Sequence, residues 1–100
     1  MYLGQTDEDR LRVFTAAELA RRNLARGLKL NEPEAVALAC DEMHLAARSG
    51  AAYEEVIAAG RAAVPRDRLM DGVAELVPEI RLEVLLEEGS RLIVLGGPWA

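Results

Sequence analysis

Cys40 and His44 stand four residues apart, a spacing that on a helix puts a thiol and an imidazole on one face. Such a pair could begin a metal site or activate a thiolate. Either chemistry needs more. Two ligands do not make a metal site, and the positions around the pair are apolar, with Asp41 and Glu42 directed elsewhere on the helix. A reactive thiolate needs electropositive surroundings and a third, orienting group. The neighbouring Asp41 and Glu42 would instead raise the thiol pKa and dull it. Cys40 and His44 are therefore read as structural.

The remaining chemistry-bearing residues thin out in the same way. Ser49 and Ser90 lack the strand–turn–helix elbow of a serine nucleophile. The carboxylate pairs Glu54-Glu55 and Glu87-Glu88 read as a solvated helix start and a turn, whereas acid–base work needs an apolar cleft. Gly96-Gly97 has no helix start after it, so it cannot cradle phosphate. The arginines of the first helical segment are expected to pair with nearby acids or face water. No catalytic, metal-binding or cofactor-binding residue is assigned to this chain.

The elements that would carry these residues follow from periodicity. Thr6 can cap a helix over Thr6 to Arg26, with Asp7, Glu8 and Asp9 in its first turn and Gly27 as its stop. Leu11, Phe14, Ala17 and Leu24 are read as its apolar stripe. Asn31, Pro33 and Glu34 together predict a capping box opening a second helix, Glu32 to Ser49. Val36, Leu38, Cys40, Met43 and Ala47 supply its apolar positions. A third helix is predicted over Tyr53 to Val64, with Gly60 a weak spot of about 1 kcal/mol relative to alanine. Pro65 breaks that run, and a short fourth helix is predicted from Arg66 to Met70, ended by Gly72.

After Pro78 the period becomes two. Ile80, Leu82, Val84 and Leu86 alternate with Arg81, Glu83 and Leu85. Turn chemistry at Glu87-Glu88-Gly89-Ser90 leads into a second strand ending near Leu95, making one β-hairpin. That second strand is apolar on both faces, which predicts burial on both sides. The fold class is thus α+β: mainly helical, three longer helices and a short one, with a C-terminal two-stranded antiparallel hairpin. All 100 residues form a single domain.

Composition closes off several classes. With 51% apolar and 29% charged residues the chain is globular rather than disordered. Twelve basic against seventeen acidic residues give a net charge of −5, the wrong sign for phosphate-backbone binding, so no nucleic-acid partner is expected. No apolar run approaches the roughly 18 residues of a membrane span. The polar, acidic stretch Met1 to Arg12 lacks a signal core, and a single cysteine gives no sign of an oxidising compartment, so a cytoplasmic location is expected.

One run is more specific than any of these patterns. Phe14-Thr15-Ala16-Ala17, Ala25-Arg26-Gly27-Leu28-Lys29-Leu30-Asn31 and Pro33-Glu34-Ala35-Val36-Ala37-Leu38 resemble the urease gamma-subunit family. Gly60-Arg61, the stretch from Arg66 to Val73, Val77-Pro78-Glu79-Ile80 and Gly89-Ser90-Arg91-Leu92 extend the likeness from about Leu11 to Pro98. Some positions depart from the pattern. Glu32 stands for a tyrosine, Pro65 for a threonine and Ala74 for a proline. Ala46 to Gly50 replace a G-A-R-D-G stretch, and Ala52 replaces a serine or threonine that would cap the third helix. Leu95 to Trp99 replace V-H-x-P-I, so the terminal histidine is absent at Gly96.

The resemblance implies a noncatalytic structural subunit of urease, a urea amidohydrolase that releases ammonia and carbamate at a two-nickel centre. The nickel would belong to the large alpha subunit and none to this chain. The alpha and beta subunits, or a fused equivalent, would be the partners, in an assembly built on trimers of heteromers. The departures keep a second reading open: a divergent paralogue acting as a stand-alone interaction module or homo-oligomer without urease activity. On either reading the apolar surface near the C-terminus is expected to meet a partner. The interface residues expected are Leu28, Leu30, Pro33, Ile80, Leu82, Ile93, Leu95, Pro98 and Trp99, with Trp99 and the second strand more protected in a complex than in the free chain.

Overall fold

Helix α1 (Asp7–Ala25) starts where Thr6 Oγ1 accepts a hydrogen bond from the backbone N–H of Asp9, at 3.1 Å. The computed structural model describes residues 6–100 together with the backbone of residues 2–3. Met1, Gly4 and Gln5 of the polar opening stretch lie outside the described residues. Gly27, at φ 78°, ends α1 in the left-handed turn that glycine takes without strain, and Leu28 N–H reaches back to Asn23 O at 2.9 Å.

Helix α2 (Glu32–Arg48) opens with the predicted capping box. Asn31 Oδ1 accepts from Glu34 N–H and Glu34 Oε1 accepts from Asn31 N–H, both at 3.0 Å. Residues 35–41 are buried without interruption, because α1, α3 and the sheet all pack against α2. The five apolar positions expected of this helix are all in the core.

Helix α3 (Tyr53–Ala62) has no side-chain cap at Ala52; only Glu55 Oε1 reaches back, accepting from Ala52 N–H at 3.0 Å. Gly60 has a packing reason. A Cβ there would lie 2.7 Å from Met43 Sδ and 3.0 Å from Leu95 Cδ2, so the missing side chain is what lets α3 close on α2 and the sheet.

Past Pro65 the structure departs from the predicted single short helix. Arg66–Arg68 forms one 3-10 turn, and a separate helix α4 (Val73–Leu76) follows Gly72. The break has a cause outside the local sequence. Leu30 N–H bonds Arg68 O and Met70 N–H bonds Leu30 O, each at 2.8 Å. This bridge pulls Leu69 into extended backbone and stops the helix there.

The hairpin pairs β2 (Glu79–Leu86) with β3 (Gly89–Gly96), antiparallel, with Ile80 opposite Leu95 and Leu86 opposite Gly89. A further strand, β1 (Tyr2–Leu3), pairs in parallel with Arg81 and Leu82 and makes the sheet three-stranded in the order β1-β2-β3. Two residues carry no period, which is why it was not legible; a bare hairpin gains an edge partner by it. Ile80, Leu82, Val84, Leu86, Ile93 and Leu95 face the helices and are buried. Burial of β3 on both faces is corrected: Leu85, Leu92 and Val94 line the outer face and are exposed, since the helices cover one face of the sheet only. No helix among the described residues is long and apolar enough to cross a membrane.

Candidate functional site

The interface expected from sequence is mostly inside the chain. Leu30, Ile80, Leu82, Ile93, Leu95, Pro98 and Trp99 are buried in its own core, and only Leu28 and Pro33 are exposed. This placement follows from the size of the domain. A small chain exposes much of its surface, so its strongest apolar residues are consumed in closing its own interior. Trp99 is 4% exposed, and its indole N–H donates to Val64 O at 3.1 Å. Gly97 N–H holds Pro78 O at 2.8 Å, and an Arg66 guanidinium N–H bonds Trp99 O. The tail is thereby stapled to the turn after α3.

The apolar stripe of α1 is also rotated from expectation. Val13, Ala17 and Ala20 face α2, while Leu11 and Phe14 point outward. Small residues let α1 approach α2 closely, but charge fixes the rotation. Asp41, at 1% exposure, is the one buried charged residue among those described, and it lies on the face of α2 that meets α1. Its Oδ1 receives Arg10 Nη1 at 2.6 Å and its Oδ2 receives Arg21 Nη2 at 2.5 Å. Arg21 also reaches Glu42 at 2.9 Å and Glu18 at 3.2 Å. Burial works against the Arg21 charge, but hydrogen bonds to Asp41 and Glu42 outweigh it and hold the guanidinium well above its ordinary pKa. The sequence spacing directs Asp41 away from the Cys40–His44 pair and no further. The missed signal is that Arg10 and Arg21 are three helical turns apart on one side of α1, flanking the side that packs.

Cys40 and His44 do share one side of α2, and burial decides what they are. The thiol has no exposed surface. Desolvation, with the charge of Asp41 adding to it, pushes its pKa up to about 12, so it stays protonated at neutral pH. Desolvation, with Arg10 adding to it and Asp41 opposing, pushes the His44 pKa down to about 4, so the imidazole is neutral. Neutral His44 lines a shallow cleft of about 220 Å³ with Arg10, Ala47, Arg48 and Leu85. Among the described residues, no group of three or more His, Cys, Asp or Glu is placed to hold a metal ion. Ser49 Oγ donates to Leu45 O at 2.8 Å, and Glu88 lies 3.5 Å from Arg91 at the hairpin tip.

What remains at the surface is a set of outward apolar faces. One runs along α1; another is the outer face of the sheet, with Leu85, Leu92 and Val94. Arg91 lies over the Tyr53 ring, 4.6 Å from its centre, closing one end of the sheet against α3. These faces suit contact with another chain better than they suit turnover of a small molecule.

Comparison with known proteins agrees in kind. Residues 1–98 match the family described as "Urease, gamma subunit". A urease subunit gamma of Ruegeria is 42% identical over 98% of both chains, and one of Prochlorococcus marinus is 43% identical over 98% of both. A urease subunit gamma/beta of Streptomyces avermitilis is 49% identical over 98% of this chain, which spans 43% of that relative's length.

Proposed function

The chain belongs to the urease gamma-subunit family, and from that premise we propose that it is a noncatalytic structural subunit of a cytoplasmic urease. It braces a large nickel-containing chain that hydrolyses urea to ammonia and carbamate. The observation that carries this reading is the match along nearly the whole chain to proteins named as gamma subunits. The Streptomyces relative, named gamma/beta, supports a beta subunit as neighbour. The described residues fit the role: a protonated buried thiol, a neutral histidine, a closed core and apolar surface left outside. The nickel, its ligands and the reacting groups are assigned to the large chain, in an assembly of three such heteromers. What this subunit contributes is rigidity, since catalytic groups must be held within narrow geometric tolerance.

A second reading has one observation in its favour. Trp99 folds back into the chain's own core, so the body is closed without a partner, as a stand-alone module or homo-oligomer would be. Co-expression separates the two. The chain, tagged, is produced with urease large and beta subunits, and the purified material is assayed for nickel and for ammonia released from urea. Co-elution of a nickel-bearing large chain with urea-dependent ammonia release is expected. Elution of the tagged chain without them, while the large chain is active by itself, overturns the proposal.

A further inference from the structure

Helix α1 has one helical neighbour, α2, and its far side is open. Leu11 and Leu19 lie there at 64% and 53% exposure, with exposed Thr15 midway between them. The three form a ridge at steps of four residues. Charged residues flank it in a fixed order: Glu8 and Arg12 toward the start, Glu18 and Arg22 toward the end.

The order of charges selects the orientation of a second helix. Turn a copy of α1 by half a revolution about an axis through Thr15. Leu11 then meets Leu19 of the other copy, and Glu8 meets Arg22. The charges nearest the seam thus find their opposites. In the parallel arrangement Glu8 meets Glu8 and Arg22 meets Arg22, which repels. A two-fold interface requires a surface complementary to itself, and this one is, in both apolar and charged positions. Arg22 has no ion pair within the chain among the described residues, while Glu8 holds only the exposed Arg12, at 2.8 Å. A Glu8–Arg22 contact between copies therefore displaces one exposed pair and engages a guanidinium that has none.

We propose that α1 is a self-association surface, pairing antiparallel with α1 of a second copy of this chain about a two-fold axis at Thr15. One helix face buries less than the roughly 1,200 Å² typical of stable complexes. The dimer is accordingly weak, dependent on concentration and loosened by salt. The inference is independent of the urease role, which concerns other chains.

Sedimentation velocity on the full chain, from micromolar to millimolar concentration, tests it. A reversible monomer–dimer equilibrium is expected. Glu8→Arg or Arg22→Glu, each altering two symmetry-related contacts, weakens the dimer on the order of tenfold. The double variant Glu8→Arg with Arg22→Glu restores it to within about threefold, since the charges are then exchanged rather than lost. Thr15→Cys, at the axis, cross-links copies to one another under mild oxidation, and buried Cys40 does not compete. Circular dichroism confirms that each variant is folded. A chain that stays monomeric throughout, a double variant no tighter than the singles, or a Thr15→Cys chain that does not cross-link overturns the proposal. Any of these results leaves co-elution with a large urease chain unaffected, so the two readings fail separately.

Discussion

Replacing Asp41 by asparagine removes the charge at the centre of the seam between α1 and α2 without changing its shape. The carboxylate is 1% exposed and receives Arg10 at 2.6 Å and Arg21 at 2.5 Å. Each charge-assisted hydrogen bond contributes about 1.5–3 kcal/mol, and stranding one partner of a fully buried pair costs about 3–5 kcal/mol. The guanidinium side chains here are 32% and 30% exposed, so water recovers part of their charge once the carboxylate is gone. The asparagine also turns N–H donors toward two donors. Together these put the loss at about 2–4 kcal/mol, a large share of the roughly 5–15 kcal/mol a small domain has. Arg21→Met should cost less, about 1–2 kcal/mol, because Arg10 still satisfies Asp41. Urea unfolding followed by circular dichroism measures both, and the cycle of single and double variants isolates the coupling. A loss under about 0.5 kcal/mol for Asp41→Asn, within the range of ordinary surface substitutions, would refute the view that this seam fixes α1.

Three further outcomes are expected. Gly60→Ala should destabilise by up to about 2 kcal/mol in thermal unfolding: the helix propensity gained is about 1 kcal/mol, but overpacking against buried Met43 and Leu95 costs about 1–3 kcal/mol. A stabilised variant would mean that Met43 swings aside. Asn31→Ala should cost about 0.5–2 kcal/mol by removing one half of the α2 capping box, and a neutral result in urea unfolding would relocate that helix start. His44 is neutral in the fold with its pKa lowered from 6.5 to about 4, so between those values the unfolded chain binds the proton first. Its contribution is complete above about pH 6.5 and falls as the pH drops toward 4, by about 1–2 kcal/mol after discounting for its partial exposure. Compared with His44→Gln, the wild-type chain should lose that much extra stability on acidification; equal losses would contradict it.

The parts of the fold legible in the sequence are those fixed by neighbours in the chain. The α2 start is an example, because Asn31 and Glu34 satisfy each other's backbone N–H groups three residues apart. The inward face of β2 is another, because a period of two leaves Ile80, Leu82, Val84 and Leu86 no second arrangement that buries them together. What stayed hidden was fixed by residues far away. Leu69 leaves its helix because Leu30, thirty-nine positions earlier, takes the backbone hydrogen bonds on either side of it. Leu11 and Phe14 face outward because Arg10 and Arg21 must meet Asp41, and counting apolar residues on α1 cannot find that. The family likeness is legible for a different reason: it rests on runs of specific residues and not on any periodicity.

The inward placement of the C-terminal segment has a more general cause. An apolar strand and a terminal tryptophan on a small acidic chain look like surplus grease awaiting a partner. Yet the strand fills the space between the sheet and helices α2 and α3, and Trp99 seals the turn after α3 with its indole N–H satisfied by Val64. In a domain of this size the inward faces of two strands are needed merely to complete a core. Surface for other chains must then come from faces that core closure leaves over. With the far side of α1 given to a second copy, the face left for a different chain is the outer side of the sheet, where Leu85 and Leu92 remain in contact with water. In the proposed bracing role, a chain whose core is closed this way would keep its own fold when it docks, and so would hold a neighbour in place instead of being shaped by it.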